Sequence, residues 1–140
     1  MENNLKIKDL MVGDWVHSRL HDVDTFIIDV EGRVPKEMSE HEYTEAVSVW
    51  LDSKECWGRN YIDEIEPIPL TEELLMKFFP TTDDGVTWYP YNGMIDGYRW
   101  FYIEAIGDGV GGARILGMFR YVHELQHILR LCNIDIEIRL

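Results

Sequence analysis

The sequence predicts an α+β protein, and three observations carry that prediction. Short β-branched and aromatic runs recur between Gly, Asp, Asn and Ser clusters, two segments have helical periodicity, and the chain closes on the alternating run IDIEIRL. With 140 residues, 46% of them apolar, there is material for one ordinary domain or two very small ones, each with a buried core.

The first strand-like run is Val12-Gly13-Asp14-Trp15-Val16, followed by residues 25–30 (TFIIDV), 46–51 (AVSVWL) and 61–68. Together they predict a small twisted β-barrel or sheet over residues 1–70. Residues 35–44 are charged and weakly patterned, which suits a long loop or a single helical turn. Pro67-Ile68-Pro69-Leu70-Thr71 forms a seam, because two prolines cannot both sit in a central strand and Thr71 is a good helix N-cap. The second part, residues 71–140, then begins with a short helix, TEELLMKFF, whose Glu72 and Glu73 lie at its positive end and which Pro80 terminates.

Three further strands are expected at 86–91, 98–106 and 113–118, joined through 92–97 and 107–112. A C-terminal helix carries YVHELQHILRLC, with Asn133 as a left-handed residue closing it. Residues 134–140 alternate, so they are expected to form a final strand whose apolar face (Ile134, Ile136, Ile138, Leu140) the helix covers.

Charge narrows the partners. Twenty-six acids against thirteen Lys and Arg leave a net charge of −13, and residues 1–98 hold 21 of the acids but only 8 of the bases. Such a surface repels phosphate backbones, so no nucleic-acid partner is expected. No run has the length of a signal peptide h-region or a membrane span, which predicts a cytoplasmic protein with no membrane association. Cys56 and Cys132 lack any C-x-x-C pairing, so neither a disulfide framework nor a Cys-rich zinc site is expected; Cys132 reads as a thiol on an apolar helical stripe.

The sharpest motif is His123-Glu124-x-x-His127, the spacing with which zinc hydrolases present two imidazoles and a general base on one helical turn. On a wheel of about 100° per residue, Met118, Tyr121, Val122, Leu125, Ile128, Leu129 and Cys132 fall within roughly 120°, and the two histidines lie about 180° from its centre. The histidines are therefore expected to face water. A catalytic zinc needs three protein ligands and an open position. Asp135 and Glu137 lie on the polar face of the expected final strand, out of reach, so a third donor would have to come from residues 37–45, His41 among them. Arg130 and Asn133 occupy the places where the longer metalloprotease signature has Gly and His. The preferred reading is a solvated helix face with no metal; the alternative is a zinc site with His123 and His127 as ligands and Glu124 as base.

Two other matches are set aside. Gly107-Asp108-Gly109-Val110-Gly111-Gly112 spells G-x-G-x-x-G, but a strand-like segment rather than a helix follows it, so a hairpin loop is the better account and no dinucleotide cofactor is expected. The stretch WYPYNGMIDGYRWFY contains only Arg99 as a cation, which suits core filling better than base stacking, although it could serve a small ligand. His17 and His21 flank an expected turn and read as exposed.

Three phrases, KDLMVGDWV from Lys8, EPIPLT from Glu66 and YVHELQ from Tyr121, resemble an uncharacterised family of short proteins from gut Bacteroidales genomes, often encoded near phage or mobile elements. The resemblance spans most of the chain. It implies an N-terminal SH3-like barrel joined to a small sheet-plus-helix unit. Its helix phrase, V-H-x-L-Q, requires neither Glu124 nor His127, so the resemblance implies that the zinc-like spelling is incidental, and with no activity established for the family it brings no catalytic residue. The resulting functional expectation is a non-enzymatic, acidic interaction protein with a basic protein partner; the alternative is a zinc-dependent hydrolase.

Overall fold

The computed structural model describes residues 5–36, 42–81, 85–106 and 113–140. The fold is mixed α+β: antiparallel strands in a five-stranded and a three-stranded sheet, with two α-helices. The chain divides into two compact units, Met1–Ile68 and Pro69–Leu140.

In the first unit, β1 (Trp15–Ser18), β2 (Val23–Pro35), β3 (Tyr43–Leu51), β4 (Cys56–Tyr61) and β5 (Ile65–Pro67) lie in the order β4-β3-β2-β1-β5. Alternation sets the inner face. Val16 and Ser18 of β1 are buried, and Val16 packs with Leu10, Ile27, Val47, Val49, Leu51 and Ile65 in one apolar cluster. The thirteen-residue β2 is bent rather than straight, because its pairing with β3 slips after Ile27 and again after Val30. Two buried polar side chains are matched: Asp14 Oδ2 accepts the Met11 N–H at 2.8 Å, and the Ser18 hydroxyl donates to Asn60 Oδ1.

The continuous strand expected over residues 61–68 is broken. Ile62–Glu64 forms a 3-10 turn, its start fixed by the Tyr61 N–H donating to Glu64 Oε1 at 2.9 Å, and only Ile65–Pro67 continues as β5. The strand before it, β4, was hidden from pattern reading by Gly58 and the charged Arg59. Gly58 has a packing reason: a Cβ there would lie 3.0 Å from Leu51 Cδ1 and 3.1 Å from His21 Nε2. The loop expected at 35–44 is shorter at both ends, since β2 runs to Pro35 and β3 starts at Tyr43; residues 37–41 lie outside the described residues.

In the second unit, α1 (Glu72–Phe78) starts where the Thr71 side chain accepts the Leu74 N–H at 3.1 Å, and it buries Leu75 and Phe78. Then β6 (Val86–Ile95), β7 (Tyr98–Ile106) and β8 (Ala113–Phe119) form the antiparallel sheet in chain order. The connection expected over 92–97 contracts to Asp96-Gly97, both left-handed at φ 52° and 81°, the two-residue hairpin turn that such a dipeptide favours. Asn92-Gly93 instead lies inside β6, where the register slips between Pro90 and Met94. Pro90 is tolerated because β6 is an edge strand. The glycine-rich connection 107–112 lies outside the described residues.

Helix α2 (Val122–Leu131) ends as expected: Asn133 has φ 56°, and the Ile134 N–H returns to the Leu129 carbonyl at 2.9 Å. The final strand does not form. Residues 134–140 alternate between exposed and more buried positions, with Ile138 buried, but they join no sheet. Alternation reports which side chains an extended chain turns inward; a strand also needs a neighbouring edge with free backbone groups.

Candidate functional site

The structure overturns the expected orientation of the histidines. His123 is 5% exposed and Gln126 6%, and they are buried beside Val122, Leu125 and Leu129, while Leu131 is 79% exposed. His127 is half-buried. The buried face of α2 is thus turned toward the histidine side of the wheel. Flat rings explain part of this: His123 lies parallel to Tyr121 (centroids 5.8 Å apart, 13° between planes), and His127 meets His123 edge-on at 5.7 Å. A wheel scored on apolar residues alone gives imidazole and amide groups no credit for packing.

Among the described residues, facing inward brings no third donor to the two histidines. Glu124 Oε1 accepts the backbone N–H groups of Tyr121 at 3.1 Å and of Arg120 at 3.2 Å, so the carboxylate caps the helix it belongs to. Asp135 and Glu137 are exposed, and among the described residues no three His, Cys, Asp or Glu side chains are grouped to hold a metal ion. His41 and residues 37–40 lie outside the described residues. We expect Glu124→Gln, which keeps the accepting oxygen, to change unfolding stability by less than about 0.5 kcal/mol, and Glu124→Ala to lower it by about 1 kcal/mol. Denaturant titration of both variants checks this, and equal losses would refute the capping assignment.

The first unit corrects two further histidines, which are half-buried rather than exposed. His17 is held between carboxylates, with Nδ1 2.9 Å from Asp24 Oδ1 and Nε2 3.4 Å from Asp22 Oδ1. His21 takes its place through its backbone N–H, which donates to Ser18 Oγ at 3.2 Å, and its Nε2 is buried against Gly58.

A more organised cluster stands on the sheet of the second unit. Phe101 and Ile103 of β7 are buried, so Tyr98, Trp100, Tyr102 and Glu104 share the opposite face by strand alternation. At one end of that row the Arg120 guanidinium lies over three rings: Tyr98 at 4.8 Å, Trp100 at 5.0 Å and Tyr121 at 4.7 Å. Burial, followed by a hydrogen bond with Tyr98, pushes the Tyr121 hydroxyl up to about 12.

At the other end Tyr89, opposite Tyr102 in the register, stacks on it at 4.9 Å, and Tyr91 tilts toward Tyr102 at 6.1 Å. The Tyr89 hydroxyl donates to Glu104 Oε1 at 3.0 Å, which raises its pKa above the ordinary phenol value. Core filling accounts for Phe101, but not for Tyr89, which is 40% exposed, nor for the neighbouring Ile115, which is 57% exposed. The signal for this row was present in the sequence as Y-x-Y and Y-x-W-x-Y-x-E at period two.

No protein-family model, curated protein or solved structure matches the chain. Among the described residues, no helix is long and apolar enough to cross a membrane.

Proposed function

We propose that this is a non-enzymatic interaction protein whose acidic surface receives a basic polypeptide. The observation that carries the reading is the one-sided charge, 21 acids against 8 bases within residues 1–98. Its placement supports the same reading. Asp22, Asp29, Asp52, Glu55 and Asp63 are exposed, while two of the few cations of the first unit are turned onto its own carboxylates, Arg59 on Glu31 at 2.8 Å and Arg19 on Glu66 at 3.5 Å. Opposite charge of this kind accelerates encounter and selects a partner more than it adds affinity.

We read the first unit as a small SH3-like barrel. The order β4-β3-β2-β1-β5, the bent β2 and the 3-10 turn entering β5 support that reading. A barrel of this size offers a rigid frame on which exposed carboxylates keep fixed spacings.

The test is retention of host proteins on the immobilised chain at low and high salt, beside a variant carrying Asp22→Asn, Asp29→Asn and Asp63→Asn. We expect a discrete basic polypeptide that is held at low salt, lost at high salt, and weakened in the variant, because exposed charges further apart than about 10 Å are screened at 0.1 M. Salt-independent retention, or no retained basic protein, would overturn the proposal.

A further inference from the structure

Resting on the reading that the partner is basic, we infer that the exposed end of the aromatic row, formed by Tyr89, Tyr91, Tyr102 and Glu104, binds an arginine side chain of that partner. The molecule supplies the precedent on the same face of β7: at the Tyr98–Trp100 end a guanidinium, that of Arg120, lies within 4.7–5.0 Å of three ring centres. At the Tyr89–Tyr102 end the rings are present, and among the described residues no cation lies over Tyr89, Tyr91 or Tyr102.

The chemistry of this end is that of a cation receptor. Tyr89 is 40% exposed and is braced from behind by Tyr102 at an interplanar angle of 26°, so one of its faces is backed and the ring is held in place. Its hydroxyl is tied to Glu104 Oε1, which fixes a carboxylate at the rim of the ring. A guanidinium laid on Tyr89 gains the attraction of the ring quadrupole and can turn an N–H edge toward Glu104. Arginine suits this better than lysine, because a planar cation stacks and donates sideways at once. A nucleobase would also stack on these rings, but a fixed carboxylate and a net charge of −13 oppose the phosphate that accompanies it.

The experiment uses the full chain with fluorescent octa-arginine and octa-lysine peptides at low ionic strength, read by anisotropy. The expected result is tighter binding of octa-arginine than of octa-lysine by about fivefold, the scale of one exposed cation–π contact. Tyr89→Leu and Glu104→Gln each remove that preference, and Tyr89→Phe, which keeps the ring, retains it. Circular dichroism checks that each variant folds, and either of the first two suffices if the other fails. If octa-arginine binds the native chain and both variants with the same preference, this site is refuted and the acidic-surface reading stands. If octa-arginine does not bind the native chain at all, both fall. Self-association abolished by Tyr89→Leu in sedimentation would assign the face to a second copy of the chain and overturn the inference.

Discussion

Leu125→Ala is expected to lower the stability of the second unit by about 2–5 kcal/mol, the range for removing most of a fully buried leucine and leaving a cavity. Leu125 is 0% exposed on α2, within the buried set that also contains His123 and Gln126. Leu131, on the same helix and 79% exposed, provides the control: Leu131→Ala should shift stability by no more than about 0.5 kcal/mol. Denaturant midpoints of the two variants decide the matter. Comparable small shifts would mean that α2 does not pack on the face described.

The second large effect is expected at Gly117. Its φ of +151° is a conformation that side chains rarely adopt, and a Cβ there would stand 2.9 Å from Phe119 Cζ. Gly117 also faces the fully buried Ile103 across the β7–β8 pairing, next to a slip in register. Gly117→Val should therefore cost about 1–3 kcal/mol from the backbone strain alone, with the ring contact in addition. Adding Phe119→Leu should recover the part due to the ring and leave the part due to φ. Full recovery in the double variant would show that the backbone at residue 117 is not strained.

How far the sequence could lead depended on what each signal reports. Local chemistry was legible: the Thr71 cap, the left-handed Asn133 and the placement of most strands follow from backbone preferences that a few neighbouring residues express. The Asp96-Gly97 turn was equally legible as a hairpin dipeptide, but Asn92-Gly93 four residues earlier offered the same kind of signal and drew the loop toward itself. Signals that depend on a partner were not legible. Residues 134–140 alternate without joining a sheet, and no pattern within a segment states whether an edge awaits it.

The candidate site divides along the same line. The motif His123-Glu124-x-x-His127 is visible in the letters, yet the capping role of Glu124 and the burial of His123 come from groups beyond the motif, among them the Arg120 and Tyr121 backbone and the Tyr121 ring. The aromatic stretch is likewise visible in the letters, but its division into a filled and an open end depends on the strand register and on Arg120, eighteen positions beyond Tyr102.

Arg120 belongs to three circuits at once. Its carbonyl receives the Leu70 N–H at 2.8 Å, its own N–H is bound by Glu124, and its guanidinium spans rings from β7 and from the start of α2. Energies at such a junction do not separate by residue: whichever of Tyr98, Trp100 or Tyr121 is removed first lets the guanidinium resettle on the other two. The start of the helix, the chain entering α1 and the outer aromatic row are therefore all fastened through this one residue, beside the Pro69–Tyr121 bridge and the Tyr98–Tyr121 ring contact.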